Sequence, residues 1–389
     1  MHGYVKRNIE EFIVESIDNN PVVAILGPRQ CGKSTLAKEL LMRIGNSIYL
    51  DLQRNSDLRR LDDPELFFQS AKDQLVCIDE IQLKPELFPL IRSIVDESNA
   101  NGQILILGSA SRDLIRQSSE TLAGRISYSE LTPFTIHEVE NSFDEIRILW
   151  NRGGFPRSYL AKSDKVSFNW RIDFIRSFLE RDIPQFGNPV QVSAVGRLWT
   201  MIAHIHGQLL NLSKIGDSLG VSHTTVRNYI ELLEQTFMVR TLKPYEANLK
   251  KRMIKSPKIF IRDTGILHAL LDIADFNDLL GHIVIGNSWE SFVIENVLSE
   301  LPDCKGYFYR TAAGAEIDLI LQRGNKVVAV ECKSSMAPNI SKGFYSSLED
   351  LRIEEGYIVA PVKESYPVKK NVFVVSLPEF IVKMKKKFL

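Results

Sequence analysis

Over the first third of the chain, short apolar runs alternate with stretches in which apolar residues recur at helical spacing. The runs fall at Pro21–Leu26, Ser47–Asp51, Leu75–Asp79, Ile104–Gly108 and Ile126–Leu131. Runs this short, with few polar residues inside them, predict strands covered on both faces, and their alternation with helices predicts a parallel sheet between two helical layers. From Ile136 to Arg181 the spacing turns helical, broken at Gly153-Gly154 and Pro156. Between Val192 and Leu242 the pattern reads as a helix through His204, a short helix capped at Ser213, a turn at Gly220-Val221 and a helix capped at Ser222. A strand follows at Val239–Leu242. This is helix-turn-helix spacing; the helix after Ser222 buries Val226, Ile230 and Leu233 and turns His223, Thr224, Arg227 and Asn228 outward. Beyond Asn287 the order is a helix (Ser288–Glu300), three strands (Lys305–Arg310, Glu316–Leu321, Lys326–Cys332), a helix (Ser341–Arg352) and strands near Tyr357 and Phe373.

These patterns divide the α/β chain into four expected segments: a core over 1–135, a helical lid or bridge over 136–190, a winged-helix-like segment over 191–260 and a carboxyl-terminal domain over 261–389. Of the 389 residues 44% are hydrophobic and 25% charged, as in ordinary globular chains. Lys plus Arg and Asp plus Glu both number 48, so no global field attracts nucleic acid or membrane, and any such partner must be met by local charge. The first residues carry no apolar signal core and no run of about 18 apolar residues occurs, which gives a cytoplasmic chain without membrane contact as the expectation. Cys31, Cys77, Cys304 and Cys332 form no C-x-x-C pair, so neither a zinc site nor a disulfide frame is expected.

Chemistry concentrates first at the end of the first strand. Gly27, Pro28, Arg29, Gln30, Cys31, Gly32, Lys33, Ser34 and Thr35 follow an apolar run and open a helix. Glycine backbone N–H groups there can close on phosphates, Lys33 reaches toward the β/γ-phosphates, and the Ser34 hydroxyl can hold Mg²⁺. ATP, or GTP, is the expected ligand, and Cys31 suits the loop by its small size. The run Leu75–Asp79 then delivers Asp79 and Glu80 at a strand's carboxyl end, where open α/β sheets bind ligands. Asp79 is the expected partner of the Mg²⁺ shell, and Glu80 the residue that orients the attacking water. Ile104–Leu107 ends in Gly108-Ser109-Ala110-Ser111, and Thr121–Arg125 ends in a cation.

With these residues the chain resembles AAA-type P-loop ATPases of bacteria and archaea fused to a carboxyl-terminal domain of undefined function. The resemblance is carried by Gly27–Thr35, Leu75–Gln82, Leu122–Arg125, Gly153-Gly154-Phe155-Pro156, Glu180-Arg181-Asp182-Ile183-Pro184, Tyr309-Arg310-Thr311 and Glu316-Ile317-Asp318. It implies ATP and Mg²⁺ as cofactors, Ser109 as a γ-phosphate sensor, and a homo-oligomer in which Arg125 serves a neighbour's site as an arginine finger, with Arg157 as a second candidate for that role.

The strand order after Asn287 resembles restriction-endonuclease-like folds, and Asp318 with Glu331-Cys332-Lys333 resembles the PD-(D/E)XK signature, although the literal Pro-Asp is missing. Strand periodicity puts Glu331 and Lys333 on one face with Cys332 turned away. The resemblance implies a second Mg²⁺ site on Asp318 and Glu331, with Glu290 and Lys333 beside it and Glu316 as a substitute acid. Lys250, Lys251 and Arg252, with Lys255 and Lys258, form a basic cluster that joins Thr224, Arg227 and Asn228 as candidate DNA contacts. The Lys383–Lys387 run reads as a solvated tail. Two functions follow: an oligomeric, DNA-associated ATPase motor or switch with a nuclease-like carboxyl domain, or an ATP-gated scaffold whose carboxyl domain binds a protein partner and does not cut DNA.

Overall fold

In the computed structural model, which describes residues 3–109, 118, 120–139, 142–186, 191–246 and 254–388, the apolar runs of the first third all become strands. They are β1 (Val22–Leu26), β2 (Ser47–Asp51), β3 (Leu75–Asp79), β4 (Ile104–Gly108) and β5 (Ile126–Glu130). The sheet is parallel throughout, in the order β2-β3-β4-β1-β5. Strands β1, β3 and β4 are buried at every position, which is why each reads as an unbroken apolar run. Alternate residues feed opposite layers. Ala24, Ile78 and Ile106 pack with Phe88, Ile91 and Val95 of helix Leu87–Ser98, whereas Ile25, Cys77 and Leu107 pack with Ile13 of helix Glu10–Asn19 and Leu36 and Leu40 of helix Lys33–Ile44. Each fully buried aliphatic side chain contributes about 1.5–3 kcal/mol. This is the parallel sheet between two helical layers that the apolar runs predict.

The chain separates into two compact units, Met1–Phe134 with Gln235–Phe237, and Thr135–Glu234 with Met238–Leu389. Apart from Gln235–Phe237, the three segments expected after residue 135 share the second unit. Its helical part holds helices Phe143–Arg152, Asp164–Ser177, Val192–His204, Leu212–Leu219 and His223–Gln235, followed by the antiparallel pair β6 (Val239–Leu242) and β7 (Lys258–Ile261). The short helix is capped by Asn211, whose side chain accepts the Lys214 N–H, and not by Ser213; Ser222 caps the next helix through the Thr225 N–H. Glu180-Arg181-Asp182 lies in a π-helical turn, Phe178–Asp182, and Pro184 in the 3₁₀ turn Ile183–Phe186 that follows.

The rest of this unit is a mixed six-stranded sheet in the order β12-β13-β11-β10-β9-β8, built from β8 (Lys305–Arg310), β9 (Glu316–Arg323), β10 (Lys326–Cys332), β11 (Gly356–Val359), β12 (Tyr366–Lys369) and β13 (Val372–Val375). β11 runs parallel to β10 and β13, and the remaining pairs are antiparallel. The lysine run at the end is not a tail. It forms the polar side of helix Leu377–Phe388, which buries Leu377, Phe380, Ile381, Met384 and Phe388, while Lys383 and Lys387 pair with Glu379 and Glu355 at 2.8 and 2.6 Å. Apolar residues at helical spacing held the helix together, and the lysines between them only marked its wet face.

Candidate nucleotide site and acidic pocket

The first site lies where the parallel strands end. Leu26 of β1 is in register with Gly108 of β4, and Asp79 of β3 with Leu107, so the phosphate loop, the two carboxylates and Ser109 emerge at one edge. Helix Lys33–Ile44 starts at Gly32, whose φ is +106°. A Cβ at Gly27 would meet the Leu131 carbonyl oxygen at 2.2 Å, so the loop is drawn against the sheet too closely for any side chain there. Lys33 is 6% exposed and its ammonium donates to the carbonyls of Gly27 and Pro28 at 2.9 and 2.8 Å.

Glu80 sits just past β3 in left-handed backbone, φ +60°. The Gln82 amide donates to Glu80 and, at 3.2 Å, to the Ser109 hydroxyl, which itself donates to Glu80 at 3.5 Å. Sequence reasoning missed Tyr49. Its phenol donates to Asp79 at 2.5 Å, so it already occupies a carboxylate expected to serve Mg²⁺. Burial, and then Asp79, push this phenol well above the ordinary tyrosine range. Ammonium, hydroxyl, carboxylate and helix amino end form a donor set that fits a Mg²⁺-bound triphosphate.

Arg125 is not brought to this site. It precedes β5, whose first residue pairs with Val22, and so lies at the other end of the sheet, roughly 15 Å away for strands of this length. There its guanidinium binds both Asp96 oxygens and the Ala123 carbonyl. Cys31 is buried, its thiol donating to the Leu131 carbonyl at 3.3 Å. Ala110 and Ser111 lie outside the described residues.

The second site is a cavity of about 650 Å³ whose lining includes Lys258, Glu290, Glu316, Asp318, Glu331 and Lys333. The structure thus gathers the four residues expected for a second metal. It adds Lys258, which sequence reasoning placed in the basic cluster offered to DNA. This lysine is 2% exposed, and its ammonium lies 2.8 Å from Glu290, 2.7 Å from Glu316 and 3.8 Å from Asp318. Asp318 also accepts the Cys332 N–H at 2.8 Å, Lys333 pairs with Glu331 at 2.7 Å, and Arg310 pairs with Glu316 at 3.5 Å. Burial opposes the charge on Lys258, but Glu290, Asp318 and Glu316 outweigh it and hold this amine well above the usual lysine range. Burial raises Glu290 to about 8 and Glu331 to about 7, and raises Asp318 as well. Among the described residues no group of three or more His, Cys, Asp or Glu is arranged to hold a metal ion.

Thr224, Arg227 and Asn228 are exposed on helix His223–Gln235, with Val226, Ile230 and Leu233 buried on its other side. Arg227 lines a groove of about 760 Å³ together with Glu231 and Glu234. Lys250, Lys251 and Arg252 lie outside the described residues, and Lys255 is exposed. His206 is buried and accepts the Ile261 N–H at 3.0 Å. Among the described residues no helix is long and apolar enough to cross a membrane.

Comparison with known proteins adds to this geometry. An AAA domain profile matches residues 19–140, and two domains of unknown function, DUF8612 and DUF4143, match residues 143–277 and 285–380. Rv2008c of Mycobacterium tuberculosis, an uncharacterized protein, is 39% identical over 376 residues, covering 97% of this chain and 84% of its own. An uncharacterized protein of Methanocaldococcus jannaschii, MJ1637, is 20% identical over 98% of this chain and 88% of its own. Among solved structures, AMPPCP-bound DnaA from Aquifex aeolicus aligns at 14% identity and a TM-score of 0.31, covering 60% of this chain and 89% of its own.

Proposed function

This chain belongs to the family of Rv2008c of Mycobacterium tuberculosis, with an AAA domain over residues 19–140, and from that premise we propose that it hydrolyses ATP as an oligomeric, DNA-associated switch or motor. The observation that carries the reading is the convergence of Lys33, Ser34, Asp79, Glu80 and Ser109 at one edge of the parallel sheet. When bound, Mg²⁺ would be held by Ser34 and Asp79 and would neutralise charge on the β- and γ-phosphates. Lys33 turns from the loop carbonyls to the phosphates. Glu80, released from Gln82, orients the attacking water, and Ser109 binds the oxygens of the transferred phosphoryl group. The tight seat of the loop against Leu131 fixes the cradle before nucleotide arrives.

In this reading the segment over Val192–Leu242 is a winged helix that meets the duplex through Thr224, Arg227 and Asn228 with Lys250, Lys251 and Arg252, and the carboxyl-terminal sheet is a nuclease-like domain. Arg125 serves a neighbouring subunit only if its pair with Asp96 opens. A second reading, an ATP-gated scaffold for a protein partner, is favoured by Glu231 and Glu234, which line the same groove as Arg227 and put negative charge where phosphate would approach.

Steady-state ATP hydrolysis with and without duplex DNA, at low and moderate salt, tests both. Lys33→Ala should lower turnover by roughly 100-fold or more, and DNA should stimulate the wild type with steep loss as salt rises. Turnover that ignores DNA, with no complex even at low salt, would leave the scaffold reading in its place.

A further inference from the structure

Lys258 opens β7, pairs across the small sheet with Leu242 and sends its side chain away from both, into the acidic pocket of the same unit. Its carboxylate neighbours come from separate elements: Glu290 from helix Ile285–Glu300, and Glu316 and Asp318 from β9. A lysine ammonium has three N–H donors and no acceptor. Two of them reach Glu290 and Glu316 at hydrogen-bond distance, and the third side faces Asp318. Below the ammonium lies the ring of Phe308, its centroid 5.6 Å away, which leaves the charge no route to water on that side.

We propose that Lys258 is the resident cation of this pocket, its ammonium filling the space that a divalent ion would need between Glu290, Glu316 and Asp318. A Mg²⁺ ion needs oxygen ligands at about 2.0–2.1 Å in near-octahedral array. An ammonium already within hydrogen-bond distance of two of those carboxylates excludes such an ion by volume and by like charge. No divalent ion therefore sits between Glu290, Glu316 and Asp318 while β7 is seated. Because the cation is part of the chain, its occupancy does not depend on metal concentration. The inference bears on the carboxyl-terminal unit and is independent of the ATPase reading, which stands or falls on Lys33.

Mn²⁺ titration followed by electron paramagnetic resonance, in nucleotide-free protein, tests it on wild type, Asp318→Asn, Lys258→Met and the Lys258→Met/Asp318→Asn pair. Wild type and Asp318→Asn should bind the same amount of Mn²⁺. Lys258→Met should gain one ion per chain, at least tenfold tighter than any wild-type binding, and lose it again with Asp318→Asn. Loss of an ion when Asp318→Asn is made in the wild type would overturn the proposal, as would a folded Lys258→Met that gains none. Should Lys258→Met fail to fold, acetylation of the wild type by acetic anhydride, read by mass spectrometry, decides the matter. Lys258 should stay unmodified, with or without Mn²⁺, while Lys255 reacts; equal labelling of the two, or Mn²⁺-dependent labelling of Lys258, would refute a seated ammonium.

Discussion

Tyr49 shows how much a single side chain can hold back. Its phenol is hydrogen-bonded to Asp79, so a metal-bound nucleotide must displace a bond to a charged group before it can use that carboxylate. Such bonds contribute about 1.5–3 kcal/mol. Tyr49→Phe keeps the ring and the cation–π contact with Lys38 but removes the bond to Asp79. The variant should bind Mg²⁺-ATP roughly 3- to 10-fold more tightly by calorimetric titration, since part of that bond no longer has to be broken. An affinity within twofold of the wild type would mean that the phenol does not compete. Lys33, Asp79 and Glu80 were legible in the sequence because each is tied to its neighbours in the chain by a fixed motif. Tyr49 was not, because it gains its role only when β2 lies beside β3. The same holds for Gly153, whose added Cβ would fall 2.1 Å from Asp263, a carboxylate that accepts the Gly154 N–H from far along the chain. Lys258 was misread for the converse reason: it stood in a run of lysines, and sequence proximity gave no sign that its side chain turned inward.

Among the elements, those with strong periodicity were legible, and those fixed by partners were not. The strands of the first sheet could be read from apolar runs, because burial on both faces leaves no polar position to blur them. Helix Thr264–Leu270 offered no comparable signal, yet it pins three others. Asn151, at the end of helix Phe143–Arg152, accepts through its carbonyl from His268 Nδ1, Ser288 of helix Ile285–Glu300 donates to His268 Nε2, and Trp150 donates in turn to Ser288. Arg171 of helix Asp164–Ser177 donates to the Gly265 carbonyl at 2.9 Å. Burial pushes His268 down to about 3, below its ordinary value of 6.5. A depressed imidazole contributes stability that is whole above 6.5 and is lost as pH falls toward 3, so roughly 2 kcal/mol disappears between pH 7 and 5. Urea unfolding should find that His268→Gln, though less stable at pH 7, loses about that much less than the wild type over this interval. Equal losses in the two proteins would show that the imidazole takes up its proton in the folded chain at the same pH as in the unfolded one.

At the scale of the whole molecule, the two units each have their own sheet and their own core, and the candidate nucleotide site draws on the first alone. Nucleotide at about 100 times its dissociation constant should therefore add about 2.7 kcal/mol to the stability of residues 1–134. Hydrogen exchange read by peptide should record that protection in β1, β3 and β4, and little of it in β9 and β10. Protection spread evenly over both sheets would instead mean that the units unfold as one. The cysteines give this division a practical reading. All four carry free, buried thiols, Cys31 and Cys77 in the first unit and Cys304 and Cys332 in the second. Burial keeps the thiols of Cys77 and Cys332 protonated and unreactive, so a trapping reagent meets them only when the structure around them opens. The chain thus carries two stopwatches of its own, one in each unit, and the order in which its sulfurs are caught is the order in which its parts come undone.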